Sequence, residues 1–248
     1  MATENVLYSA SFPGEAIKEL AKIARAITDV INVKFTDSNI IMKILSPDMV
    51  SFLKITYHGD LIDYTAATEE KVLGLPVRYL EKFAAIIKNR DTVTFSFDGE
   101  EFILQGKNMK FMINPLTPET DRDVNFEPLA YVVVPVDDIR GTIKTLNSLK
   151  KAAIILITED GITIMSNERE GAAVEYKKTS IELQEHSVPK EVMASYSTEV
   201  LTKLLSSISK NYSVTLGITD KKVLVLKFAT AGDLGTAVYY QAPMVETE

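Results

Sequence analysis

The chain has 248 residues, with 27 Lys+Arg against 34 Asp+Glu, a formal net charge of −7, 46% hydrophobic residues and 25% charged ones. That balance belongs to an ordered globular protein, too apolar for a disordered chain, and the length allows one large or two medium domains. The lack of cysteine excludes disulfides, thiolate metal sites and cysteine nucleophiles, and a net negative chain argues at first against nucleic acid.

Met1–Leu7 has neither a basic stretch nor an apolar one, so no signal peptide is expected. Pro13–Asp29 predicts the first helix, with Ile17, Leu20, Ala24 and Ile27 at helical spacing and a proline at its start. Strands follow at Val33–Phe35, Ile40–Ile44 and Val50–Tyr57. Pro76–Arg90 repeats the helical scheme with Val77, Leu80, Phe83, Ala84 and Ile87. Thr92–Phe97 and Glu101–Gln105 read as a hairpin around Asp98-Gly99. Asn114–Pro128, rich in proline and charge, reads as a connector. Pro135–Lys151 predicts a third helix on Val136, Ile139, Ile143 and Leu146. Ala153–Ile157 and Ile162–Ser166 pair around Asp160-Gly161, and Ala172–Lys177 reads as a further strand. Ser197–Lys210 predicts the fourth helix, with Ser197 or Thr198 as N-cap, before strands at Ser213–Ile218, Val223–Phe228 and Ala237–Gln241. No apolar run approaches the roughly 20 residues of a membrane-spanning helix, and no cysteine near the C-terminus offers a prenylation site.

Those elements repeat. Pro13 and Pro135, each opening a helix, stand 122 residues apart, and Phe35-Thr36-Asp37-Ser38-Asn39-Ile40 matches Ile157-Thr158-Glu159-Asp160-Gly161-Ile162 at the same offset. Leu80-Glu81-Lys82-Phe83 aligns with Leu201-Thr202-Lys203-Leu204, and Thr92-Val93-Thr94-Phe95 with Ser213-Val214-Thr215-Leu216, both at 121. One offset shared by helix, strand, helix and strand predicts two copies of a single unit.

The charges divide unevenly over this pattern. Lys18, Lys22 and Arg25 fall on the polar side of the first helix, and Arg78 and Lys82 on that of the second. Arg140, Lys144 and Lys151 group on the third, and Lys203 and Lys210 on the fourth. The four helical spans hold 13 bases and 7 acids, a net of +6, and the remainder holds 14 bases and 27 acids, a net of −13. One such helix reads as an ordinary solvated face. Four of them against an acidic background predict a surface that contacts phosphates without reading bases. No aromatics interleave, so stacking on single strands is not expected.

Nothing in the sequence supports catalysis with equal force. Neither common glycine-rich phosphate cradle is present, and His58 and His186 lack metal-ligand spacing, so no metal, cofactor or catalytic residue is expected. The acid pairs Glu69-Glu70, Glu100-Glu101 and Asp137-Asp138 could serve a metal-dependent hydrolase, but they sit at turns, strand ends and a helix start, where acids favour the dipole.

The order helix, strands, Ser46-Pro47-Asp48-Met49-Val50-Ser51, strand, helix, strands, connector, then the same again, resembles a sliding clamp of the proliferating cell nuclear antigen type. The ending Tyr239-Tyr240-Gln241-Ala242-Pro243 resembles the clamp's closing strand, and the lean connector resembles archaeal members. The likeness covers essentially the whole chain. It implies an α+β fold of two tandem clamp domains, 1–114 and 129–248, joined by residues 115–128. Antiparallel sheets would lie outside and four helices inside a three-subunit ring around duplex DNA, without enzymatic activity. The ring would close between Lys107, Met109, Phe111 and Ile113 of one subunit and Ala172, Val174, Tyr176 and Lys178 of the next. Such edges otherwise stay open to pairing.

The resemblance also implies partners. DNA polymerase, clamp loader, flap nuclease and DNA ligase would dock at Leu45, Val124, Phe126, Val223, Tyr240, Ala242 and Pro243. It implies a replication protein of the archaeal cytoplasm and nucleoid, or of the nucleus if eukaryotic. Gln241 stands where the family commonly has Leu, Met244 where it has a base, and Val223 where it often has Pro. These departures suggest a specialised subunit of a heterotrimeric ring. A clamp-related interaction scaffold that does not encircle DNA is the alternative.

Overall fold

The computed structural model describes residues 6–67, 69–118, 123–166 and 174–244. Contacts divide the chain into two compact units. One comprises Met1–Pro47, Leu53–Asp123 and Ala229–Ala237, and the other Asp48–Phe52, Val124–Phe228 and Val238–Glu248.

In the first unit, β1 (Tyr8–Pro13) leads into α1 (Gly14–Ile27), followed by β2 (Val30–Phe35), β3 (Asn39–Leu45), β4 (Ser51–His58, counted with this unit from Leu53 on) and β5 (Lys71–Pro76). Then come α2 (Val77–Ile86), β6 (Thr92–Phe97), β7 (Phe102–Gly106) and β8 (Met109–Ile113). One sheet runs β1-β6-β7-β8, and another run of strands is β4-β3-β2-β5. The second unit repeats the plan with β9 (Ala130–Pro135), α3 (Val136–Ser148), β10 (Ala153–Thr158), β11 (Gly161–Met165), β12 (Glu175–Thr179) and a short β13 (Glu185–Ser187). It continues with β14 (Val192–Tyr196), α4 (Thr198–Ser207), β15 (Ser213–Ile218), β16 (Leu224–Thr230, counted with this unit up to Phe228) and β17 (Gly235–Gln241, from Val238 on). Its strands run β12-β11-β10-β14 and β13-β9-β15-β16. Every strand pair with an assigned register is antiparallel, as in Tyr8↔Phe97 and Ile157↔Ile162.

Three helices begin in the same way. Pro13, Pro76 and Pro135 are each the last residue of a strand and the N-cap of the next helix. Proline lacks an N–H to extend a ladder, and its fixed φ suits the residue before a helix, so it ends one element and starts the other. Ser197 holds that place before α4 without a side-chain cap bond. Instead the Thr198 hydroxyl donates to the Lys151 carbonyl at 3.0 Å.

Each helix buries one stripe. Ile17, Leu20, Ala24 and Ile27 of α1 and Ile139, Ile143 and Leu146 of α3 are buried, each large side chain contributing roughly 1.5–3 kcal/mol. α1 packs against α2, and α3 against α4. The first core is aromatic: Phe35 lies 4.6 Å from Tyr8 and 6.1 Å from Phe95, centroid to centroid. The second fills the repeat-equivalent positions with Ile157 and Leu216, both buried.

The structure corrects the element boundaries. α2, α3 and α4 end at Ile86, Ser148 and Ser207, each shorter than the periodicity predicts. The chain turns extended at Ile87 and Ile208, which keep their apolar side chains in the core. The strands β1, β5, β9, β13 and β14 are not signalled in the sequence, because four of them run straight into a helix and the period changes within one residue. No helix among the described residues is long and apolar enough to cross a membrane.

Candidate functional site

The polar faces of the helices carry bases with very different commitments. On α1, the Lys18 ammonium donates to Asn89 Oδ1 at 2.9 Å, and Arg25 pairs with Asp29 and lies 3.8 Å from Glu81. Lys22 is exposed. On α2, Arg78 lies over Tyr79 at 4.7 Å, with Lys82 5.7 Å from the same ring. These side chains stay at least partly solvent-accessible.

Arg140 does not. Its Nε donates to the Leu205 carbonyl at 3.0 Å, one NH2 to the Ile208 carbonyl at 2.8 Å, and NH1 to Asp137 at 3.3 Å. It satisfies the carbonyls that α4 leaves open at its C-terminus, so its charge is spent on the helix pair. Lys144 is exposed, and Lys203 pairs with Glu199 one turn back at 3.1 Å. Lys151 and Lys210 lie beyond the ends of α3 and α4, not on them. The helices as folded hold eight bases against six acids. Much of the excess seen in the sequence sits just past the helix ends, at Lys88, Arg90, Lys150, Lys151 and Lys210, where cations complement the dipole.

In the second unit an apolar site forms around Tyr240. Its ring, 6% exposed, lies 6.2 Å from Phe52 and 5.9 Å edge-on from Phe126, and Lys221 covers Phe126 at 5.9 Å. The Ala242 N–H donates to the Val50 carbonyl at 2.9 Å, and the Met244 N–H to the Ser195 carbonyl at 2.8 Å. Thus the predicted Phe126, Tyr240 and Ala242 come together, with Val124, Val223 and Pro243 half-buried in the same unit. Leu45 ends β3 in the first unit, half-buried.

Phe52, Val50 and Lys221 complete this site and were not singled out in the sequence. The turn Ser46–Ser51 is the one sequence signal for Val50 and Phe52, and Lys221 has none. Gln241, 1% exposed, is no loose departure either. Its amide donates to the Ser197 carbonyl at 2.9 Å and accepts from the Tyr239 hydroxyl at 3.0 Å, which lies 2.9 Å from Ser51 Oγ.

Two open edges carry the predicted interface residues. β8 is the last strand of its sheet, with Lys107 on the turn before it, Met109 and Phe111 half-buried and Ile113 buried. Phe111 meets Phe83 of α2 edge-on at 5.4 Å. β12 is likewise an edge strand. Lys178 pairs with Asp138 of α3 at 2.6 Å, and Val174 and Tyr176 are half-buried. The Tyr176 hydroxyl is buried without a hydrogen-bond partner among the described residues. Ala172 lies outside the described residues. Two of the acid pairs supply ion-pair partners: Asp137 to Arg140, Asp138 to Lys178 and Glu70 to Lys34 at 2.8 Å. Among the described residues no cluster of three His, Asp or Glu is placed to hold a metal.

No protein-family model matches the chain. It is 24% identical over 243 residues to the DNA polymerase sliding clamp of Pyrococcus furiosus, covering 94% of this chain and 97% of that one. It is 22% identical over 238 residues to DNA polymerase sliding clamp 1 of Sulfolobus acidocaldarius, covering 92% and 96%. Among solved structures it superposes on A. fulgidus PCNA, in a structure with the C-terminal region of FEN-1 bound, with a TM-score of 0.88 at 16% identity, covering 98% of this chain and all of that one. PCNA from Thermococcus kodakaraensis gives 0.83 at 18% identity, with 96% of this chain covered. The chain is therefore a relative of the archaeal DNA polymerase sliding clamps, and it has the fold of PCNA.

Proposed function

We propose that this chain is a subunit of a three-membered ring that encircles duplex DNA, tethers DNA polymerase to its template, and has a binding rather than a catalytic role. The similarity to named sliding clamps over more than nine-tenths of both chains carries this reading. Residues 1–114 and 129–248 would be its two clamp domains, with 115–128 between them.

On this reading the accessible bases Lys18, Lys22, Arg25, Arg78, Lys82, Lys144, Lys151, Lys203 and Lys210 make weak, sequence-blind contacts with phosphates. The acids elsewhere keep DNA away from the rest of the surface. The β8 edge closes on the β12 edge of the next subunit, where a neighbour could accept the buried Tyr176 hydroxyl proton. The site around Phe126 and Tyr240 takes an extended segment with apolar anchors from a polymerase, clamp loader, ligase or flap nuclease, the last by analogy with the FEN-1 segment seen on A. fulgidus PCNA.

The test is primer extension on a long closed template with an archaeal replicative polymerase and clamp loader. Addition of the chain, with sister subunits if required, should lengthen products. Charge reversal of Lys18, Lys22, Arg78, Lys82 and Lys144 to Glu should abolish the gain at moderate salt while assembly persists. Normal stimulation by the assembled variant would remove the basic face from the account. A scaffold that does not encircle DNA is the second reading, favoured by the near-balance of eight bases and six acids on the helices themselves.

A further inference from the structure

Three of the eight methionines gather around the C-terminal segment of the second unit with their side chains open to solvent. Met49 is 69% exposed, Met193 51% and Met244 49%. Hydrogen bonds bring them together. The Ala242 N–H holds the Val50 carbonyl, next to Met49, and the Met244 N–H holds the Ser195 carbonyl, two residues along β14 from Met193. Met49 has a φ of 58°, in the left-handed region, and Asp48 accepts the Val50 N–H at 3.1 Å. This turn fixes the backbone and throws the thioether outward. By contrast, Met42 is buried at 1%.

We propose that Met49, Met193 and Met244 form an oxidisable rim of the docking site, through which hydrogen peroxide switches off partner binding. A thioether donates a sulfur lone pair to the peroxide oxygen and the O–O bond breaks. The sulfur becomes a sulfoxide, and the second oxygen leaves as water with both protons. A flexible apolar contact thereby becomes a polar one at the edge of an apolar groove, which raises the cost of burying it against a partner. The inference rests on the docking reading given above.

The test measures fluorescence anisotropy of a labelled synthetic peptide copying the C-terminal region of an archaeal flap nuclease. Sulfoxides are mapped by mass spectrometry before and after hydrogen peroxide. Oxidation of the wild-type chain should weaken binding on the order of tenfold, with recovery after methionine sulfoxide reductase, which separates the effect from unfolding. A Met49→Leu/Met193→Leu/Met244→Leu variant, compared with its own untreated affinity, should lose nothing. Met112, 58% exposed on β8, is oxidised in both proteins and serves as the internal control. Unchanged wild-type affinity with all three sulfoxides present, or an equal loss in the variant, would overturn the inference and leave the docking reading standing. No binding by the untreated wild-type chain would count against the docking reading itself and take the inference with it.

Discussion

Arg140 and Lys144, one helical turn apart on α3, separate structure from function at the level of single residues. The Arg140 guanidinium bonds two α4 carbonyls and Asp137. Arg140→Ala should therefore destabilise the chain by about 2 kcal/mol, read as a lower urea midpoint with unchanged slope. Lys144→Glu should stay within about 0.5 kcal/mol of wild type and act on DNA alone. Glu19 offers a second prediction. Burial pushes its carboxyl up to about 7, and neighbouring Glu15 adds to this, while the Ala231 N–H at 3.2 Å and Lys22 oppose it. Tyr57, fully buried beside it, is itself pushed up by burial. Between its ordinary value of 4.5 and about 7, folded Glu19 binds its proton more tightly than the unfolded chain does. Its contribution is therefore full below the unfolded value and is lost as pH rises through the folded one. Thermal melts should show Glu19→Gln gaining about 2–4 °C on wild type at pH 8, with the difference shrinking towards pH 4. A constant difference would remove Glu19 from the pH dependence.

The β10–β11 hairpin sets the position of the β12 edge at the level of elements. Gly161 has a φ of 137° and packs so closely on the Lys178 carbonyl that a Cβ there would collide with it. Gly161→Ala should cost more than about 2 kcal/mol and open β12 first, seen as faster amide exchange over residues 175–179 than over β10. The sequence made this hairpin readable, since Asp160-Gly161 between two apolar runs is a strong local signal. The four amphipathic helices were readable for the same reason. The strands β1, β5, β9 and β14 were not, because each lasts only five or six residues and the chain then becomes helical at a proline or serine. The helix ends were overrun because Ile87 and Ile208 continue the apolar spacing after the backbone has left the helix. Of the apolar cluster proposed as a docking site, Tyr240 and Phe126 were named through the closing strand and connector, and they meet edge-on. Phe52 and Lys221 were not, since only folding brings Phe52 and Phe126 beside the Tyr240 ring and Lys221 over Phe126.

The molecule as a whole repeats one plan of strand, helix and sheet, and the sequence carries that repeat as a shared offset of 121–122 residues. Its charge was less legible. A count over predicted helices gave +6, whereas the folded helices hold a near-balance and the bases cluster at their C-terminal ends. Any DNA-facing surface is therefore patterned rather than uniformly basic. Affinity for DNA at physiological salt should be weak, and retention should depend on topology more than on contacts. The most direct test is retention after loading on nicked circular DNA, followed by gel filtration at moderate salt. The chain, with any sister subunits needed to close the ring, should stay with the circle and be lost when a single cut linearises it. Equal retention on circular and linear DNA, or none on either, would contradict encirclement.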